Sequence, residues 1–214
     1  MNAKKKRYKY IKKYFEDINK VCEIGASIGS FLELLNEDII KCAVEPNDIN
    51  RNEANNFSDY QYEYVDDIPE NLYFDIICMF HTFEHIKNPI SFLETCKKHL
   101  QSKGKLIIEV TYIRDPLITL YNSKEFKDFY FQKMHPYIYS KKSLNLTLEN
   151  AGFYVDEFLY EQRYSVSNHL EWLSKGKPGG NSKLENLFNS INNDYINILE
   201  KECITDIIFI IASH

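Results

Sequence analysis

Residues 21–34, Val-Cys-Glu-Ile-Gly-Ala-Ser-Ile-Gly-Ser-Phe-Leu-Glu-Leu, constrain the fold more than any other stretch. The apolar run from Val21 to Ile24 stops at Gly25, as a short buried strand would, and from Phe31 the spacing lengthens to helical Phe31, Leu34 and Leu35. A tight turn must join the two. Gly25 can take positive φ and bring bare backbone to a ligand, and Gly29 permits close approach where a helix over residues 30–37 would begin. That helix start would turn unpaired N–H groups toward the same cavity, which suits a nucleotide-like ligand.

The dinucleotide fingerprint asks for three glycines, G-x-G-x-x-G, whereas this turn has two, with Ala26 and Ser27 between them. Support comes from Glu45, which ends a second apolar run (Cys42-Ala-Val-Glu-Pro46), the place where an acidic side chain meets ribose hydroxyls in such sheets. Residues 74–80 are almost uninterruptedly apolar around Asp75, the pattern of a strand covered on both faces in a parallel sheet. His81, Glu84 and His85 follow at its carboxyl end, the side on which open parallel sheets bind ligands.

Together, Glu23-x-Gly25-x-x-x-Gly29, Val44-Glu45-Pro46, residues 74–89 and residues 104–110 resemble the class I S-adenosylmethionine-dependent methyltransferases, over residues 20–160. The resemblance implies an α/β, Rossmann-like, doubly wound sheet of seven mostly parallel strands. Its last strand would insert antiparallel beside the fifth, with helices on both faces and an extra helical and loop cover. It also implies S-adenosyl-L-methionine as cofactor. Glu23 would steady the glycine turn and the amino end of the methionine part, and Gly25, Ala26, Ser27 and Gly29 would pass beneath the cofactor. Glu45, with Pro46 beside it, would hold both ribose hydroxyls, Asp66 or Asp67 would accept the adenine amino group, and His81 would border the cofactor.

The remaining pattern fits this frame. Residues 41–45, 61–65, 105–111, 154–161 and 204–213 read as strands, and residues 90–100, 140–151 and 184–199 as helices. Lysines and Arg7 crowd residues 4–20 over helically spaced Tyr8, Ile11, Phe15 and Ile18, which reads as a surface helix with a solvated basic face. Residues 112–139 are aromatic without a period, and 163–180 read as a loop with one helical turn. Segments 112–139 and 163–203 are therefore expected to cover the substrate within a single domain, 1–214.

Methyl transfer from a sulfonium is a direct displacement, so the protein needs a cofactor cradle, a positioned acceptor and, for a hydroxyl, a base. His81, His85 and His135 are the base candidates, because histidine titrates near neutrality. Tyr112, Arg163, Tyr164 and His169 are candidate substrate contacts. Residues 162–173 with Gly176-Lys-Pro-Gly179 look like the tail of bacterial methyltransferases acting on sugars or surface-glycan precursors. The expected acceptor is a small polar sugar or glycan precursor, with or without a phosphate, methylated at oxygen. His81-x-x-Glu84-His85 also resembles the Glu-x-x-Glu-His metal site of some ubiquinone-pathway and small-RNA methyltransferases, with His81 replacing the first glutamate. Ligands on one turn need others to complete a site, and no metal is assigned.

A net charge of −5 argues against a broad grip on nucleic acid and for a small-molecule acceptor. Five cysteines without a C-x-x-C pair, mostly in apolar runs, suit a reducing cytoplasm. No run is long enough to cross a membrane, and the first residues lack the apolar core of a secretory signal. Oligomeric state is not encoded in any of these features. Two rival readings are a cofactor-binding module without turnover, motivated by Ser27, and a nicotinamide-dependent oxidoreductase, disfavoured by the glycine spacing. S-adenosylhomocysteine at about a hundred times its Kd should add about 2.7 kcal/mol of stability. Thermal unfolding with and without it should show a clear rise in Tm, and an unchanged Tm in folded protein would mean that the glycine turn is misread or that the site needs another ligand first.

Overall fold

The computed structural model describes residues 3–131, 136–179 and 182–214. Along the chain come α1 (Ala3–Ile11), β1 (Lys20–Ile24), β2 (Ile40–Val44), α2 (Asp48–Ala54), β3 (Tyr60–Tyr62) and β4 (Phe74–Phe80). They are followed by α3 (Pro89–Lys98), β5 (Leu100–Thr111), α4 (Pro116–Thr119), α5 (Lys124–Tyr130) and α6 (Lys141–Asn150). The chain closes with β6 (Tyr154–Glu161), α7 (Val166–Lys175), α8 (Ser182–Lys201) and β7 (Ile207–Ser213). The strands form one sheet in the order β3-β2-β1-β4-β5-β7-β6. β7 runs antiparallel to both neighbours, and the other pairings are parallel. This is the Rossmann-like seven-stranded arrangement expected from the sequence.

Its central strands are apolar on both faces because both faces are covered. Cys22, Ile77, Met79, Leu106, Ile108 and Ile210 enter one buried cluster, with Leu93 and Cys96 of α3 and Leu144 and Leu148 of α6. Their alternate neighbours Val21, Ile76, Cys78, Ile107, Phe209 and Ile211 enter the other, with Ile11 of α1. The period of two thus sorts each strand between two helical layers. Asp75, the polar interruption in β4, accepts the N–H groups of Asn19 and Lys20 at 2.9 and 2.8 Å and pins the start of β1.

Four expectations change. The helix over 30–37 shrinks to a 3-10 turn, Leu32–Leu34, with Leu35 already extended at ψ 154°. β2 begins at Ile40, level with Lys20, so residues 25–39 make the whole crossover. The strand over 61–65 ends at Tyr62, and Val65–Asp67 form another 3-10 turn. The one-turn loop at 163–180 is instead a ten-residue helix, α7, whose cap Ser165 accepts the N–H of Asn168 and whose end is Gly176. The N-terminal helix stops at Ile11 and continues as a 3-10 turn, Lys12–Phe15.

Among the described residues, no helix is long and apolar enough to cross a membrane. Phe209, fully buried at the centre of β7 and stacked against Tyr10, is a direct test of the core. Phe209→Ala should cost about 3–5 kcal/mol in chemical denaturation, and a loss below 1 kcal/mol would contradict its packing.

Candidate active site

The carboxyl edge of the sheet carries two neighbouring features, a backbone cradle at β1 and β2 and a side-chain cavity at β5, β7 and β6. In the cradle, Gly25 has φ +74°, and a Cβ there would lie 2.1 Å from Thr82 Oγ1. Gly29 has φ +76° because its turn rests on Ala54 of α2, where a Cβ would approach the Ala54 Cα at 3.0 Å. Ser27, where the fingerprint has its middle glycine, adopts φ +49° itself. Several N–H groups of the turn have backbone partners. Gly25 and Ala26 both donate to the Val44 carbonyl, and Gly29 donates to the Ala26 carbonyl.

Glu45 is held from three sides. Its two carboxylate oxygens accept the N–H groups of Ser27 and Asn47, each at 2.9 Å, and Arg51 of α2 donates to its carbonyl. Each carboxylate oxygen keeps a lone-pair direction for a further donor. Beyond β3, Asp66 lines an open cleft of about 620 Å³ together with Tyr64, His85 and Asn88. Asp67 faces its own turn instead, where its Oδ2 accepts the Tyr64 N–H at 2.9 Å.

Between cradle and cavity stands His81, in left-handed backbone at φ +53° and with its N–H on the Glu109 carbonyl. Its Nδ1 lies 3.2 Å from Glu84 and its Nε2 3.0 Å from Glu109. Burial alone would push the imidazole pKa down, but the hydrogen bonds to Glu109 and Glu84 outweigh it and raise the pKa to about 9. Burial works against the Glu109 carboxylate as well, yet His81 and Arg7 hold it down at about 2. Arg7 of α1 grips both Glu109 oxygens, Nη2 at 3.0 Å from Oε1 and Nε on Oε2, and its guanidinium lies over the Phe80 ring.

The cavity, about 210 Å³, is walled by Leu117 of α4, Phe126, Phe129 and Tyr130 of α5, Tyr164, and Trp172 of α7. Thr111, Asp115, Arg163 and Asp206 supply its polar side. Arg163 Nε donates to Asp206 at 2.6 Å, and its Nη1 sits 3.0 Å from His81 Nε2, so the cavity adjoins His81 directly. Asp115 caps α4 through the Leu117 N–H at 2.7 Å. Burial, and then the nearby Asp206, raise the Asp115 carboxyl to about 7.

A profile described as a methyltransferase domain matches residues 3–157. The chain belongs to that family. It is a class I S-adenosylmethionine-dependent methyltransferase, and S-adenosylmethionine is its cofactor. Solved S-adenosylmethionine-dependent methyltransferases share its fold. One from Archaeoglobus fulgidus is 22% identical over 98% of this chain and 92% of its own, with a TM-score of 0.64. Another, from Thermotoga maritima, is 20% identical over 99% and 88%, with a TM-score of 0.61. A third, from Clostridium acetobutylicum, is 10% identical over 98% and 89%, with a TM-score of 0.60. No curated protein matches the sequence.

The cradle of this methyltransferase fits such a cofactor: Glu45 presents a carboxylate at the end of β2, fixed beside the glycine turn by the Ser27 and Asn47 N–H groups. Pro46 is exposed beside it, and Glu23 is buried on β1 opposite Cys78 of β4. The three histidines meet different fates. His81 has both ring nitrogens against carboxylates, Nδ1 beside Glu84 and Nε2 beside Glu109, and these raise its pKa to about 9. His85 is exposed at the rim of the cleft with Asp66, away from the aromatic cavity, and His135 lies outside the described residues. His81 and Glu84 converge but His85 does not join them, and among the described residues no cluster suits a metal ion.

Of the expected substrate contacts, Arg163 and Tyr164 line the cavity. Tyr112 does not: strand alternation turns Thr111 toward the cavity and Tyr112 into the opposite core, against Tyr160. His169 points into the α7–α8 packing with Nδ1 2.6 Å from the Tyr195 hydroxyl, and burial pushes its pKa down to about 4. Sequence reasoning missed Arg7, Glu109, Asp115 and Asp206. A lone carboxylate inside the apolar run 106–110 was the available signal for Glu109, since a buried charge requires a partner.

Because its folded pKa is raised, His81 contributes stability that is fully present below the free-histidine value of about 6.5 and is lost as pH rises through about 9. An NMR titration of the ring should give a midpoint near 9, lowered in Glu109→Gln. A midpoint near 6.5 in the unmodified protein would contradict the pairing.

Proposed function

We propose that this methyltransferase transfers a methyl group to a hydroxyl oxygen of a small, sugar-like molecule seated in the aromatic cavity, with Asp115 as general base. The observation that carries the reading is Asp115 itself, a carboxylate on the cavity wall whose pKa is raised to about 7. Such a group is part-ionised at neutral pH and basic enough to accept a hydroxyl proton. Trp172 and the rings of α5 offer flat apolar faces to the C–H side of a saccharide, leaving its hydroxyls to Thr111, Asp115 and Asp206.

On the cofactor side, Gly25, Ala26, Ser27 and Gly29 form the floor, Glu45 with Pro46 binds the ribose, and Asp66 meets the adenine amino group. When bound, the cofactor supplies an electrophilic methyl group on its sulfonium. His81 serves as a charged wall between the two sites. Segments 112–139 and 163–203 act as the acceptor cover of one catalytic unit, 1–214. Arg163 is committed to Asp206, so the reading favours an acceptor without a phosphate. Buried free thiols at Cys22, Cys42, Cys78 and Cys96 support a reducing, cytoplasmic setting.

The test is methyl transfer across a panel of sugars, sugar phosphates, phenols and amines. With an accepted hydroxyl compound, kcat should climb with pH to a plateau above about 7, because only ionised Asp115 takes the proton. Asp115→Asn should lower kcat by about a hundredfold or more and flatten that limb. Turnover of amines alone, or an Asp115→Asn variant with full activity, would overturn the oxygen assignment or the base.

A further inference from the structure

The basic N-terminal helix reads in sequence as a solvated face, but its contacts say otherwise. Lys6 Nζ donates to the Gln162 carbonyl at 2.8 Å and lies 3.4 Å from Glu161, while Tyr10 donates to Glu200. Arg7 reaches deepest, to the 1% exposed carboxylate of Glu109. Glu109 is the group that holds His81 Nε2, and the residue after His81 is Thr82, which packs on the bare backbone of Gly25. A chain of contacts therefore runs from α1 to the glycine turn.

We propose that Arg7 is a positioning residue for the cofactor cradle: by gripping both oxygens of Glu109 it fixes His81 at the head of β4, and with it Thr82 against Gly25. The inference rests on reading the glycine turn as the cofactor's floor. Its physical basis is geometric. A planar guanidinium holds a carboxylate by two parallel bonds and so sets its plane as well as its place, which a point charge cannot do. With that plane set, Glu109 Oε1 is directed at His81 Nε2. His81, the first residue after β4, occupies a left-handed conformation that non-glycine residues rarely adopt, so its surroundings must impose it. The charged groups facing His81 are Glu84 on its own turn, Glu109 on β5 and Arg163 after β6. Arg7 touches only Glu109 among them, so its influence passes through that residue.

The experiment is calorimetric binding of S-adenosylhomocysteine to full-length protein, well below the melting temperature so that only folded molecules are counted. Arg7→Met should weaken binding by about tenfold, the equivalent of one charge-assisted hydrogen bond. Arg7→Lys, which keeps the charge without the fork, should fall between Arg7→Met and the unmodified protein, and it carries the comparison should Arg7→Met fail to fold. In a Glu109→Gln background Arg7→Met should cost little more, because both changes break the same link. Lys13→Met removes an N-terminal contact that reaches Glu157 instead, and it should leave affinity unchanged. Affinity within twofold in folded Arg7→Met and Arg7→Lys, fully additive losses, or an equal loss in Lys13→Met would overturn the proposal. If the unmodified protein itself failed to bind S-adenosylhomocysteine, the cradle reading would fall with it, which separates the two failures.

Discussion

Burial of the Glu109 carboxylate is the constraint on which the site depends. It sits in β5 between Ile108 and Val110, almost wholly removed from water, and an ionised carboxylate there is tolerable only with charge and hydrogen bonds supplied at once. Arg7 and His81 supply them from opposite directions, one from α1 and one from the end of β4. Losing one partner of such a pair costs about 3–5 kcal/mol, so the arrangement is either complete or unstable. Its completion docks α1 across the sheet, raises the His81 pKa to about 9 and holds the backbone beside the glycine turn. A packing requirement of one strand thereby becomes the geometry of a binding site.

Charge is distributed unevenly across the two halves of that site. Around His81, each positive group has a carboxylate within bonding distance: Arg7 with Glu109, His81 with Glu84 and Glu109, and Arg163 with Asp206. In the aromatic cavity, Asp206 faces Arg163 while Asp115 is bonded to a backbone N–H. Burial, with Asp206 nearby, lifts Asp115 to about 7 against the weaker pull of Arg163, whereas His81 and Arg7 overcome burial and drive Glu109 down to about 2. Two carboxylates near one edge of one sheet thus have opposite chemistry, and the difference lies in their neighbours.

How far these features were legible depended on the range of the interactions behind them. The runs at 21–24, 42–44 and 74–80 are largely apolar because each strand is buried on both faces, and the glycine turn and Glu45 are local patterns tied to strand ends. These could be read along the chain. The helix expected at 30–37 could not: its spacing is helical, yet only Leu32–Leu34 wind into a 3-10 turn before β2. Nor could the neighbours of Tyr112: alternation sets it on the face opposite Thr111, but only tertiary packing places Tyr160 there.

Residue types and spacing determined the seven strands in their order along the chain and, through the resemblance they carry to a known family, the type of sheet. Tertiary structure decided which side chains meet: Arg7 with Glu109, 102 residues apart, Arg163 with His81, 82 apart, and Asp115 beside Asp206. Local periodicity reports what a segment does with water, and water is a partner every segment shares. The protonation of His81 and Asp115 instead reflects which charges lie within a few ångströms, and only the folded chain brings those together.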